Sequence, residues 1–94
     1  KVKASGKGKV IFVGLKGGYG LTIEIDHGFG YHTIYAHLSS SLVQEGTNVN
    51  RGQVIAKSGS SGLSSGPHLH YEVLHNGQNL NPSDFFFDEY NYFE

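Results

Sequence analysis

Residues 19–37 read YGLTIEIDHGFGYHTIYAH, and this stretch decides the fold. Apolar and polar side chains alternate in its first half, where the apolar set is Leu21, Ile23 and Ile25. A period of two residues is typical of an antiparallel strand with one buried face. The glycine-containing segment at 26–30 predicts a hairpin turn, and a second strand follows at 31–37. The stretch therefore predicts an antiparallel hairpin.

The rest of the chain repeats this pattern of short strands and turns. Fourteen glycines separate runs that are rich in β-branched and aromatic residues, and no window has a sustained helical period. Further strands are predicted near 8–14, 53–58 and 68–75, with one helical turn at 38–42. We expect an all-β fold, a small antiparallel sheet of the barrel-sandwich hybrid type with glycine-rich hairpin loops.

Length and composition limit the classes of function. Ninety-four residues are enough for one small domain. A net charge of −1 argues against a nucleic-acid partner. No apolar run approaches the roughly 20 residues of a membrane-spanning helix, so the chain is not expected to be transmembrane. It has no cysteine, so any metal ion must be held by histidines and carboxylates.

The motif with the clearest chemistry is His68-Leu69-His70, on the last predicted strand. Two histidines two residues apart on a strand point to the same face. Imidazole is a common metal ligand and a common general acid or base near neutral pH. The motif alone leaves two interpretations open: a metal ligand beside a catalytic group, or a surface strand that carries two histidines.

Several spaced motifs around this pair occur in a characteristic order. They are Gly18-Tyr19-Gly20, Ile25 to Gly28, Thr33 to Leu38, Val43 to Gly59, Gly62 to Val73, and Asn81-Pro82. In this combination, over residues 2–86, the chain resembles the lysostaphin-like (LytM-type) zinc metalloendopeptidases, which cut peptide bonds in bacterial peptidoglycan.

The resemblance implies a Zn²⁺ cofactor, a peptidoglycan peptide as substrate, and a location in the periplasm, the cell envelope or the extracellular space. It implies that His70 is a zinc ligand and that His68 and His37 are catalytic histidines beside the metal. Which of these two accepts a proton and which stabilises the oxyanion stays open.

The remaining polar residues near these motifs receive other interpretations. His27 is expected to be structural, and His32 and His75 are expected to be solvated. Glu72 shares a face with His70 and is expected to be a plain surface carboxylate, with a carboxylate that holds the tautomer of a histidine as the alternative.

One part of the family's pattern is not found in these 94 residues. The resemblance implies that zinc is also bound by a His-x-x-x-Asp motif near the start of the domain, and this sequence contains no such motif. Truncation before Lys1 is the expected reason, and the alternatives are a second polypeptide that supplies the ligands or a version that binds no metal. The isolated chain is therefore expected to be inactive.

Two functions follow from this pattern. The first is a zinc-dependent endopeptidase, and the alternative is a non-catalytic domain that binds cell wall or regulates a hydrolase, in a possible assembly with a protein partner or complementary chain. Residues 1–86 are expected to form the peptidase domain without its N-terminal metal-ligand segment. Residues 87–94 are expected to form an aromatic and acidic tail, which continues from Phe85-Phe86-Phe87 and packs either on the domain or on a partner.

Overall fold

The computed structural model describes residues 1–59 and 70–80. His68, the tail and the boundary predicted at residue 86 lie outside these residues. The described part consists of β-strands joined by turns and one 3-10 turn at Gly17–Tyr19. The strands are β1 (Val2–Lys3), β2 (Gly8–Lys16), β3 (Gly20–Gly28), β4 (Tyr31–Ser41), β5 (Asn48–Val49), β6 (Val54–Ser58), β7 (His70–His75) and β8 (Gln78–Leu80).

The strands form one antiparallel sheet, which confirms the predicted all-β class. Six of them follow in the order β1-β6-β4-β3-β2-β5, while β7 pairs with β4 and with β8. Within residues 1–59 and 70–80, no helix is long and apolar enough to cross a membrane.

The predicted central hairpin is confirmed as β3 and β4. Its turn consists of two residues, Phe29 and Gly30, with φ of 55° and 82°. Positive φ at both central residues is the pattern of a type I′ turn, whose twist matches that of the flanking strands. The hairpin register places Ile23 opposite Tyr35 and Ile25 opposite Thr33.

The core lies where strands β1 to β6 pack together. Ile23 and Ile25 are fully buried, as their alternation predicted, and Leu21 packs against the same cluster. Its members are Val2, Ala4, Val10, Ile23, Ile25, Tyr35, Leu38, Val49, Ile55 and Ala56. The core therefore draws on β1 and β5, the two ends of the six-strand order, as well as on the central hairpin.

The helical turn predicted at 38–42 is wrong, because β4 continues to Ser41. Leu38 pairs with Ser58, and Ser41 pairs with Ala56. These residues have no strong local strand pattern, and the pairing with β6 holds them extended. The two- and three-residue strands β1, β5 and β8 were not predicted either, because segments of that length carry too little periodicity.

Strand β4 changes its partner at Ala36–Leu38, which we call the fork. Ala36 pairs with His70 on β7, whereas Leu38 pairs with Ser58 on β6. Between them His37 has φ of 58° and lies in a bulge of β4 relative to β3. A positive φ is uncommon for a residue with a side chain, and bulges often occur beside active sites, where they redirect a side chain.

A glycine allows the two strands to approach closely at the fork. The amide of Gly59 donates to the carbonyl of His37 at 3.0 Å. A Cβ atom at Gly59 would lie 2.6 Å from the Cβ of Ser39, closer than such atoms pack. The backbone around His37 is therefore held by a contact that only glycine permits.

Candidate active site

The fork brings two of the three predicted site histidines together. The rings of His37 and His70 meet at 85°, with centroids 5.9 Å apart. His37 is buried, and the side chain of His70 is 40% exposed. Because the bulge interrupts strand alternation, the sequence pattern could not assign the face of His37 by counting residues. The third histidine, His68, lies outside the described residues.

The side chain of His70 has a carboxylate partner. Its Nε2 lies 2.5 Å from Oε2 of Glu72, two residues along the same strand and on the same face. A carboxylate accepts hydrogen bonds, so Nε2 carries the proton and the lone pair of the neutral ring lies on Nδ1. That is the arrangement typical of a metal-ligating histidine, whose other nitrogen donates to a carboxylate.

Glu72 is itself held at both oxygens. The hydroxyl of Tyr19 donates to Oε2 at 2.6 Å, and Nδ2 of Asn79 donates to Oε1 at 3.0 Å. The side chain is only 13% exposed, so the prediction of a plain surface carboxylate is wrong. Burial raises the pKa of Glu72, but hydrogen bonds from Tyr19 and His70 outweigh it, so the net pKa is lowered. Glu72 is therefore ionised at neutral pH.

Tyr19 completes this cluster from another part of the sheet. Its ring centroid lies 5.2 Å from that of His70, and its hydrogen bond to Glu72 raises the pKa of its hydroxyl. Sequence reasoning noted the Gly18-Tyr19-Gly20 motif but gave the tyrosine no role. Asn79 was not singled out at all. We call Tyr19, His37, His70 and Glu72 the site cluster.

His27 has the structural role that the sequence predicts, because both of its ring nitrogens are hydrogen-bonded. Its Nδ1 lies 2.8 Å from the carbonyl of Lys7, and its Nε2 lies 2.7 Å from Oγ1 of Thr33. The chain of hydrogen bonds continues from Thr33 to the Tyr35 hydroxyl at 2.8 Å and from there to Ser5. Burial lowers the pKa of His27. These contacts tie the N-terminal segment to the central hairpin.

The other two histidines lie away from the site, but the prediction that they are merely solvated is wrong. Nδ1 of His32 lies 2.7 Å from Oε2 of Glu24. His75 stacks on Tyr31 with ring centroids 4.1 Å apart. Both contacts are made with residues on a neighbouring strand, and the alternation of residues within one strand does not predict such partners.

Zinc is the metal that the predicted site would take, and the described residues fit it in part. Neutral imidazole is a suitable zinc ligand, and His70 presents one with its second nitrogen already held. A catalytic zinc needs three protein ligands. Residues 1–59 and 70–80 contain no group of three His, Cys, Asp or Glu side chains that could hold a metal ion. The described residues thus offer one side chain suited to zinc, not a whole site.

Comparison with known proteins decides the family. The family model described as Peptidase family M23 matches residues 1–82. The chain belongs to peptidase family M23. Among relatives, the DD-carboxypeptidase/endopeptidase Mpg of Neisseria meningitidis serogroup B is 53% identical over 81 residues, which cover 86% of this chain and 19% of Mpg. The murein hydrolase activator EnvC of Escherichia coli is 42% identical over 82 residues, which cover 87% of this chain and 20% of EnvC.

Solved structures agree on the fold of this M23 chain. The catalytic domain of lysostaphin from Staphylococcus simulans superposes with a TM-score of 0.83 at 36% identity, covering 89% of this chain and 68% of that one. A zinc-containing peptidase from Vibrio cholerae superposes with a TM-score of 0.79 at 43% identity, covering 82% of this chain and 24% of that one. The lysostaphin-like resemblance is therefore confirmed.

Mpg and EnvC are much longer proteins than this chain. The chain spans about a fifth of the length of each. Membership of a metallopeptidase family is thus established for the chain, while the relatives also include a protein named as an activator.

Proposed function

We propose that this chain carries the His-x-His part of a zinc-dependent endopeptidase site that hydrolyses cross-links or stem peptides of bacterial peptidoglycan. The observation that carries the proposal is the convergence of His37 and His70 at the fork, with Glu72 on Nε2 of His70. The similarity to Mpg and to the zinc-containing peptidase supports the reaction class.

In this proposal each histidine has a separate task. His70 holds the metal through Nδ1. Bound zinc supplies Lewis acidity and a water of lowered pKa. His37, buried and fixed by the fork, holds or moves a proton at the edge of the site or donates a hydrogen bond to an oxyanion. His68 takes whichever of these two tasks His37 does not perform.

The proposal needs two further zinc ligands, and it places their source outside the described residues. The full gene product or a partner chain supplies them, so the isolated 94 residues are inactive. Peptidoglycan as the substrate implies that the protein works in the periplasm, at the cell envelope or outside the cell.

A second candidate is a non-catalytic domain that binds the cell wall or regulates a hydrolase. The 42% identity to the activator EnvC favours it, and the solved complex of SpoIIQ with SpoIIIAH, in which the similar chain superposes with a TM-score of 0.81 at 36% identity, supports a protein partner. In this case the site cluster would serve recognition rather than hydrolysis.

One experiment separates the two candidates. The full translated product of the gene is incubated with purified peptidoglycan, with and without added zinc and chelator, and the released muropeptides are identified by mass spectrometry. The endopeptidase proposal expects new peptide ends that disappear with chelator. Absence of cleavage, together with stimulation of a peptidoglycan hydrolase added in the same assay, would instead establish the regulatory function.

A further inference from the structure

Glu72 makes contacts that no surface role requires. One oxygen, Oε2, accepts from Tyr19 at 2.6 Å and from His70 at 2.5 Å, while Asn79 donates to the other oxygen at 3.0 Å. With both oxygens bonded, the carboxylate cannot rotate about its terminal torsion without losing a partner. Its position relative to the imidazole is fixed.

The groups that fix it come from three parts of the sheet. Tyr19 lies in the turn between β2 and β3, Glu72 and His70 lie on β7, and Asn79 lies on β8. Tyr19 also packs its ring against His70, with centroids 5.2 Å apart and an angle of 38° between the rings. The imidazole is therefore restrained at Nε2 by a hydrogen bond and on one face by an aromatic ring.

We propose that Glu72 and Tyr19 are positioning residues that hold His70 in the orientation and tautomer needed to bind zinc through Nδ1. The inference rests on the proposed function in one respect, that His70 is a zinc ligand. Glu72 acts by accepting the Nε2 proton, and Tyr19 acts by holding the carboxylate and by packing on the ring. Asn79 holds the second oxygen of the carboxylate and keeps it from turning away.

The chain contains a second carboxylate–histidine contact that serves as an internal control. Oε2 of Glu24 lies 2.7 Å from His32, but it meets Nδ1 rather than Nε2. His32 also has Asp26 on its other nitrogen, at 3.7 Å. Glu24 thus makes the same kind of hydrogen bond away from the fork. The Glu24→Ala variant therefore shows which effects follow from losing any carboxylate–histidine pair.

The first test uses the whole 94-residue chain without metal. A ring N–H that donates to a carboxylate exchanges slowly with water and gives a resolved downfield proton resonance, because charge-assisted bonds are strong. We expect this resonance for Nε2 of His70. Glu72→Ala should abolish it, and Tyr19→Phe should keep it but speed its exchange. Glu24→Ala should leave it unchanged, and backbone amide spectra establish that each variant is folded.

The second test measures zinc affinity of the full gene product by competition with a chromophoric chelator. Glu72→Ala should weaken zinc binding by about 10- to 100-fold, the range for losing a partner of a metal-bound histidine. Tyr19→Phe should weaken it less, and Glu24→Ala should not weaken it.

The outcomes separate this inference from the proposed function. An unchanged His70 resonance in Glu72→Ala, or an unchanged zinc affinity in that variant, overturns the positioning role. If the unsubstituted gene product binds no zinc, the proposed function and the metal part of the inference both fail. Loss of the resonance in Glu72→Ala would then still support the hydrogen bond by which Glu72 orients His70.

Discussion

The rings of His37 and His70 meet edge to face, 5.9 Å apart, although the two residues lie 33 positions apart in the chain. The pairing of Ala36 with His70 brings the two strands into register, and the bulge at His37 then turns its ring toward its partner. The site cluster is therefore a product of the sheet's irregularity as much as of its regular pairing.

The two histidines should respond differently to removal. In the full gene product, His70→Ala should abolish zinc binding, because it removes a ligand. His37→Ala should retain zinc and lower turnover of peptidoglycan peptides by roughly 10²-fold or more, the range for loss of a general acid or base. Elemental analysis and muropeptide release measure the two effects. His75→Ala, at the far end of β7, is the control and should change neither. Retained zinc in His70→Ala would show that the ligand assignment is wrong.

Gly59→Ala should disturb the fork. The added Cβ would meet the Cβ of Ser39 at 2.6 Å, and overpacking of this kind costs about 1–3 kcal/mol. Urea unfolding measures the loss, and the amide resonance of His37 should shift because Gly59 donates to its carbonyl. Combining Gly59→Ala with Ser39→Gly should recover part of the stability, since one of the two colliding atoms is gone. Additive losses in the double variant would contradict the proposed collision.

Stability should fall as the pH drops through the titration of His27. Burial lowers its pKa, whereas the Lys7 carbonyl and Asp26 favour its charged form and His32 opposes it. Because the folded pKa lies below the unfolded value of about 6.5, the unfolded chain binds the proton first. The contribution of His27 to the free energy of unfolding is therefore complete above about pH 6.5, the unfolded pKa, and it is lost as the pH falls toward the folded pKa.

Unfolding midpoints between pH 8 and pH 5 measure this effect. The unfolding midpoint should depend less steeply on pH in His27→Gln than in the unsubstituted chain. In His75→Gln the dependence should be unchanged, because His27 is intact. A slope that is unchanged in His27→Gln would mean that the fold does not favour the neutral imidazole.

Tyr35→Phe should destabilise the domain without altering its shape. Its hydroxyl lies 2.8 Å from Oγ1 of Thr33, and the amide of Ser5 donates to it at 3.1 Å. Leaving such buried groups without their partner costs about 1–3 kcal/mol. Thermal unfolding measures the loss. Thr33→Val removes the next member of the same chain of bonds, so the double variant should lose less than the sum of the two single losses.

Chelators should not change the stability of the isolated 94-residue chain. Zinc stabilises a fold when the fold gathers a full set of ligands, and residues 1–59 and 70–80 gather no group of three. We expect the same melting temperature with and without EDTA. A marked drop with EDTA would show that this chain completes a metal site on its own.

Local sequence patterns were sufficient to predict the hairpin of β3 and β4. Alternation at Leu21, Ile23 and Ile25 and the glycines of the turn carry that information within a few residues. The continuation of β4 through Ser41 was not predictable in this way, because its cause is the pairing with β6 and not the sequence of the segment itself.

In the candidate site, too, the local features were predictable from the sequence and the long-range contacts were not. His37 and His70 were found because the motifs that contain them are short and contiguous. The hydrogen bond from Tyr19 to Glu72 joins residues 53 positions apart, and only the register of the sheet brings them within 2.6 Å. The prediction of a plain surface carboxylate for Glu72 was wrong for the same reason, since its partners lie on three separate elements.

The fork has a consequence for how the domain opens. The middle of β4 is bonded to β3 along one edge and to β7 and β6 in turn along the other, so its amides are released only when several strands separate at once. Such segments exchange their amide hydrogens at the rate of global unfolding rather than of local fraying. His37 therefore keeps its position for as long as the domain stays folded, and a substitution anywhere in the core that shortens the folded lifetime shortens the lifetime of the site equally.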